Sequence, residues 1–339
     1  MPAHILTFED ALSAASNYSK VHLVAGNGFS IAFRADIFAY GALFERADFR
    51  DAGELGRLAF EALDTRDFEV VMRALRDAAM ILSAYRGAGF PLVSELERAV
   101  DGLRKVLVAT IATHHPDHPN EVSPAQYQAC RTFLSHFDSV YTLNYDLLLY
   151  WTIMQKDVGP RLKVGDDGFR TPEDGKASYV SWEVENSDRQ NVFYLHGALH
   201  LFDAGAELQK YTWINTGRRL TDQIREALEA SYYPLIVAEG RSDQKKTKIM
   251  HSNYLSRAYR SLPKVAGAIF LHGHSLGDND DHILRLIRLG RTRHLFVSIF
   301  GDPDSPPNRH IMARAQSLQD KRRARRVEFY DAASARVWG

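Results

Sequence analysis

His22-Leu23-Val24-Ala25-Gly26-Asn27-Gly28-Phe29-Ser30 decides the fold. A short apolar run ends in two glycines set one residue apart, the pattern of a buried strand opening into a flexible turn. The same punctuation returns further along the chain. Ser139-Val140-Tyr141-Thr142-Leu143 runs into Asn144-Tyr145-Asp146, and Val192-Phe193-Tyr194-Leu195 runs into His196-Gly197. Ala268-Ile269-Phe270-Leu271 runs into His272-Gly273-His274-Ser275-Leu276-Gly277-Asp278. Pro234-Leu235-Ile236-Val237-Ala238 and His294-Leu295-Phe296-Val297-Ser298-Ile299-Phe300 read as two further strands. Short apolar strands separated by helical stretches imply an α/β fold, a parallel sheet covered on both faces.

Outward from these strands, residues 7–19 carry apolar groups at helical spacing behind a Thr7 cap with Asp10 three positions on. Residues 31–136 are dominated by Ala, Leu, Arg and Glu with a 3.6-residue period and are expected to form a helical insertion. Residues 157–189 read as a loop-rich excursion, 219–230 as a helix, and a last helix follows residue 300. No internal repeat is present. The expected organisation is a single domain over residues 1–339 that carries the insertion.

The composition excludes several classes. With 42 Lys plus Arg against 42 Asp plus Glu, the 339-residue chain has no basic excess for nucleic acid. Its one cysteine, Cys130, builds neither an intrachain disulfide nor a four-thiolate zinc site. The stretch from Met1 to Asp10 lacks a signal peptide's basic and apolar regions, and no run approaches the roughly 18 apolar residues of a membrane span. A cytoplasmic protein is expected, with no membrane partner and no direct nucleic-acid partner.

Each polar cluster follows a strand, and in open α/β sheets ligands gather beyond the carboxyl ends of the strands. Gly26 and Gly28 allow a backbone to approach a pyrophosphate, and equally make a tight turn. Asn144 and Asp146, two residues apart, point to one side in extended geometry, suited either to a ligand or to a capped strand-to-helix turn. His196 offers a titratable imidazole where a strand opens, and Gly197 allows close backbone approach.

Together, and in chain order, these clusters resemble the sirtuin-like NAD-binding proteins. Gly26-Asn27-Gly28-Phe29-Ser30 resembles the G-A-G-I-S phosphate loop, Thr142-Leu143-Asn144-Tyr145-Asp146 resembles T-Q-N-I-D, His196-Gly197 the histidine-glycine pair, and Gly273-His274-Ser275-Leu276 resembles G-T-S-L. More narrowly, the chain resembles a bacterial sirtuin-like branch of uncharacterised domains, in which Pro234 to Gly240, a following Lys, Tyr254-Leu255 and Asp280 recur. It lacks the two C-x-x-C pairs and the G-I-P-D-F-R stretch of sirtuin deacylases.

The resemblance implies a Rossmann-like sheet and an NAD hydrolase that releases nicotinamide and ADP-ribose, as an NAD-depleting effector of bacterial anti-phage defence. It implies that Asn144 holds the nicotinamide ribose or the water, that Asp146 holds the carboxamide, and that His196 is the general base. Gly26, Asn27, Gly28, Ser30, Thr142, Gly273, His274 and Ser275 would line NAD, which is the substrate, and no metal is required. A homo-oligomer, acting beside a separate motor ATPase or other defence protein, is implied as well. The alternatives are an NAD-dependent deacylase or ADP-ribosyltransferase and a non-catalytic NAD or ADP-ribose sensor.

Other clusters have plainer readings. His114-His115-Pro116-Asp117-His118 is expected to be a solvated loop ending a helix, and Lys321 to Arg326 a solvated helix face. Lys245, Lys246 and Lys248 read as a mobile polar loop or as phosphate contacts. Asp278, Asp280 and Asp281 are expected to cap the next helix.

Overall fold

In the computed structural model, residues 4–172, 177–213, 216–238, 240–320 and 324–339 are described. Met1, Pro2, Ala3, Glu239, Lys321, Arg322 and Arg323 of the strings read above, and residues 173–176 of the loop-rich stretch, lie outside them. In chain order the strands are β1 (Ile5–Leu6), β2 (Val21–Ala25), β3 (Ser139–Thr142), β4 (Phe169–Arg170), β5 (Tyr179–Trp182), β6 (Val192–Tyr194), β7 (Leu201–Asp203), β8 (Leu208–Tyr211), β9 (Ala266–His272), β10 (Arg291–Ile299) and β11 (Arg326–Asp331).

Seven of them form one all-parallel sheet in the order β1-β11-β10-β9-β2-β3-β6. After the edge strand β1 the chain passes to β2 in the middle of the sheet, steps outward to β3 and β6, then returns to β9 on the other side of β2 and steps outward again to β10 and β11. That reversal is the order of a doubly wound Rossmann-like α/β fold, and its switch point lies between β2 and β9. The register sets the four strand ends in one row: His272 pairs with Ala25, Ala25 with Thr142, and Thr142 with Tyr194. The loops that open at Gly26, Leu143, Leu195 and Gly273 therefore leave the sheet side by side.

The apolar runs are central strands because both of their faces are covered. Ala268, Ile269 and Phe270 of β9 have no exposed surface. Phe270 lies 4.7 Å from Phe296, 5.5 Å from Phe137 and 5.7 Å from Phe8, ring centre to ring centre. The helix Phe8–Ala15 starts at the expected capping box, where Asp10 N–H donates to Thr7 Oγ1 at 3.1 Å. Between β2 and β3 the chain is helical, and its two longest helices, Phe68–Arg86 and Pro91–His114, pack against each other. Among the described residues no helix is long and apolar enough to cross a membrane.

Four expectations change. Part of the loop-rich stretch 157–189 and the polar interval after His196 build a second, antiparallel sheet, β4-β5-β8-β7. Pro234 to Ala238 is no strand of either sheet. It lies beside the segment that follows β6, with a single bridge from Ile236 to Gly197 and bonds from Ala198 N–H to Leu235 O (3.1 Å) and from Val237 N–H to His196 O (2.9 Å). The parallel sheet also gains β11 after the helix Pro306–Gln316, with β1 at its edge. Finally, Arg325 does not belong to a solvated helix face. It is buried just before β11, where it donates to the carbonyls of Thr292 (3.1 Å) and Gly290 (2.9 Å), backbone acceptors that replace water.

Candidate functional site

The loop after β2 is built by close packing. Gly28 N–H donates to Gly273 O at 2.8 Å, and a Cβ on Gly28 would stand 2.5 Å from Gly273 Cα. Gly273 itself has φ +66°, in the left-handed region. In this structure the glycines allow the loops after β2 and β9 to touch at the switch point. The chain then turns helical over Gly28–Ile31. Trp338 Nε1–H clasps this turn by donating to Phe29 O at 2.8 Å, its ring packed on Phe29 and Phe33. Asn27 turns away and donates to Phe38 O at 3.0 Å, and Ser275 is exposed.

That turn carries Ser30, fully buried, to the residues after β3. Its hydroxyl donates to Asp146 Oδ2 at 2.5 Å and accepts from Asn144 Nδ2 at 2.9 Å. Asn144 N–H donates to Thr142 Oγ1 at 3.0 Å, and Asp146 Oδ1 accepts Leu148 N–H at 2.9 Å. Asn144 Oδ1 is buried with no hydrogen-bond partner among the described residues. Burial raises the Asp146 carboxyl above its ordinary range, against the Ser30 and Leu148 hydrogen bonds that favour the anion.

His196, after β6, belongs to a second polar group. Its Nε2 faces His282 Nε2 at 3.1 Å and lies 3.8 Å from Asp280 Oδ1. Gly197, at φ +80°, lets the chain turn there, since a Cβ would stand 1.8 Å from Leu235 O. Asp280 also receives Lys245 Nζ at 3.2 Å and lies 3.4 Å from His274 Nε2, while His274 Nδ1 accepts Leu276 N–H at 2.8 Å. Lys245 donates more closely to Glu69 Oε2, at 2.6 Å. Glu69 also accepts from Asn279 (2.6 Å), Tyr40 (3.1 Å) and Tyr145 (3.1 Å). Tyr145 stands between Asn144 and Asp146 in the chain, so it ties the two polar groups together.

Burial dominates the proton affinities. It drives the His196 imidazole well below its ordinary range; Asp280 opposes the shift, and Lys245, His282 and His274 add to it. His282 falls to about 4, also through burial. Burial works to raise Asp280, but the Lys245 ammonium and then the His274 hydrogen bond outweigh it and hold the carboxyl well below its ordinary range. Lys245 is raised, because Glu69 and Asp280 outweigh its desolvation.

The structure thus brings Ser30, Thr142, Asn144 and Asp146 into one hydrogen-bonded group and joins His196 to His274 through Asp280. Sequence reasoning missed Glu69, Tyr40, Asn279, His282 and Ser242. Glu69 carried a signal, a carboxylate beside the buried positions Phe68, Val71, Met72 and Leu75 of one helix. Lys245 is corrected: it lies on the helix Ser242–His251, not in a loop, and is fully buried because two carboxylates replace its hydration. Asp280 precedes the helix Asp281–Leu289 but makes no side-chain cap there.

His115 is no solvated loop residue either. It is buried, its Nε2 accepting Leu147 N–H at 3.1 Å and its Nδ1 lying 3.0 Å from Pro116 O, and burial lowers it to about 4. Among the described residues, His196, Asp280 and His282 are the group whose ligand atoms lie within 4.8 Å of one another in a metal-compatible set.

Chemically, the first group offers an unengaged amide oxygen and a buried carboxyl. The second offers a neutral imidazole in a field where two carboxylates share one ammonium. No curated protein matches the chain. A family match does run over residues 23–338, from β2 through Trp338, and on it the chain belongs to the family described as Domain of unknown function (DUF4917).

Proposed function

We propose that the chain is a sirtuin-like NAD hydrolase that cleaves NAD with water into nicotinamide, ADP-ribose and a proton. The observation that carries this reading is the placement of Ser30, Asn144, Asp146 and His196 beyond the carboxyl ends of three adjacent strands, β2, β3 and β6, on the β2 side of a Rossmann-like switch point, with the first three hydrogen-bonded to one another. Departure of nicotinamide leaves an oxocarbenium-like ribose. An enzyme accelerates that step by orienting the bond and placing negative charge near the developing cation. Asn144 orients the ribose or the water through its free Oδ1, Asp146 holds the carboxamide, and His196, kept neutral by burial, takes the proton of the attacking water.

Gly26, Gly28, Gly273, Thr142 and Ser275 line the phosphates and ribose on this reading. Asn27 and His274, whose side chains are engaged within the protein, contribute their backbone. The packed loops and the 2% exposure of His196 make this a closed state, so NAD entry requires the loops or the helical insertion to move. A cytoplasmic homo-oligomer working with a separate motor ATPase in anti-phage defence belongs to the same reading.

The test is release of nicotinamide and ADP-ribose by the purified protein across a concentration range, beside Asn144→Ala and His196→Ala. Turnover abolished by each substitution is expected, and a steep concentration dependence would point to assembly as the switch. Full turnover in the double variant overturns the assignment. The alternative of a sensor has its own signature in the same assay, tight NAD binding with no hydrolysis.

A further inference from the structure

Two imidazole nitrogens that face each other inside a protein make an unusual contact. His196 Nε2 and His282 Nε2 are 3.1 Å apart, and both residues are at most 3% exposed. One proton bridges such a pair. A shared metal ion does so as well, since two nitrogens on one tetrahedral zinc-class ion, each at about 2.0–2.1 Å, stand about 3.3 Å apart. Asp280 Oδ1 lies 3.8 Å from His196 Nε2, and all three ligand atoms fall within 4.8 Å of one another.

The surroundings are built in the way metal ligands are held. Ser242 Oγ lies 3.3 Å from His282 Nδ1, the nitrogen away from His196, and fixes that ring from behind. Tyr259 donates to His282 O at 3.2 Å. Around the cluster, Glu69 and Asp280 share the single Lys245 ammonium, so one carboxylate lacks a cation of its own. Lys245 sits closer to Glu69 (2.6 Å) than to Asp280 (3.2 Å), so Asp280 is the carboxylate held more weakly. Two imidazoles with one carboxylate suit zinc, cobalt or nickel rather than magnesium or calcium, and three protein ligands leave a fourth position open.

We propose that His196, Asp280 and His282 form a binding site for a divalent transition metal of the zinc class, and that the occupied site withholds His196 from proton transfer. The second clause rests on the NAD reading above. A metal on Nε2 takes the lone pair that would accept the proton of water, so the ion acts as an inhibitor rather than as a cofactor.

The experiment uses the tag-free full chain, stripped with a chelator, and titrates it with Co2+ while following visible absorption. One equivalent of bound Co2+, displaced by Zn2+, is expected. Affinity should fall by about a hundredfold or more in His282→Gln and in Asp280→Asn, since loss of even a supporting residue typically costs 10–100-fold. X-ray absorption of the zinc-loaded wild-type protein needs no variant and should show two imidazoles. Nicotinamide release should fall on loading and return with chelator.

The proposal is overturned by absence of stoichiometric Co2+ binding, by unchanged binding in both variants, or by a zinc shell without imidazole. Where the stripped protein turns NAD over, equal turnover by the loaded protein overturns it too. If neither form turns NAD over, the NAD reading fails, while the absorption titration and its loss in the variants still decide the metal site.

Discussion

Lys245 is a charged side chain with no exposed surface, held between Glu69 and Asp280, and residues of this kind have large and one-sided energetics. Replacing it leaves two buried carboxylates facing each other. Lys245→Met should therefore cost about 3–5 kcal/mol in urea unfolding, the range for breaking a buried pair from one side. Adding Glu69→Gln should restore part of that loss, because the remaining carboxylate then has no like charge to face. Gly28 makes a different prediction. The Cβ of Gly28→Ala would stand 2.5 Å from Gly273 Cα, and backbone cannot swing aside as a long side chain does. The substitution should destabilise by about 1–3 kcal/mol, the usual penalty for overpacking. Gly89→Ala, with nothing within 4 Å of the added Cβ, is its control.

At the scale of elements, β9 anchors the sheet. Phe270→Ala should cost about 3–5 kcal/mol, because a fully buried ring among Phe8, Phe137, Phe296 and Tyr330 leaves a cavity that aromatic neighbours fill poorly. The helix Phe68–Arg86 carries a pH signature at its start. Asp67 caps it by accepting Glu69 N–H at 2.8 Å, yet burial, and then Glu69, raise its carboxyl to about 6. A folded-state value above the unfolded 3.8 means that the folded chain holds a proton the unfolded chain releases. Asp67 therefore removes stability as pH rises from about 4 to 6, worth about 3 kcal/mol in full. Asp67→Asn keeps a capping oxygen and should flatten that part of the stability curve measured by urea unfolding.

These elements differ in how far the chain announced them. The strands ending at Ala25, Thr142, Tyr194 and His272 were legible because a parallel strand buried on both faces is a continuous apolar run. Short edge strands such as β1, β4 and β7 carry no such run. Pro234 to Ala238 looked like a strand, but it pairs with a loop, and no local pattern distinguishes the two. The site divides in the same way. Ser30, Asn144, Asp146 and His196 sit at strand ends and could be found there, whereas Lys245 is defined by a carboxylate 176 residues away in sequence.

Over the whole molecule, acid acts through histidines that fold without a proton. His115, His272 and His282 all fall to about 4 through burial, from an ordinary 6.5. Below pH 6.5 the unfolded chain gains protons that the folded chain refuses, so stability drops between about pH 6.5 and 4. Each histidine contributes about 2 kcal/mol of that loss by pH 5. Asp67 moves the other way over the lower part of the window and leaves the net loss at several kcal/mol. Urea midpoints at pH 7.5 and pH 5 should separate accordingly, and His272→Phe should narrow the gap. The molecule's layout also has a consequence in time. The turn that carries Ser30 is clasped by Trp338, which lies 309 residues downstream of Phe29. On the ribosome, that turn waits unfastened while the 309 residues from Phe29 to Trp338 are translated, so a half-made chain carries Ser30 without the clasp that fixes its position.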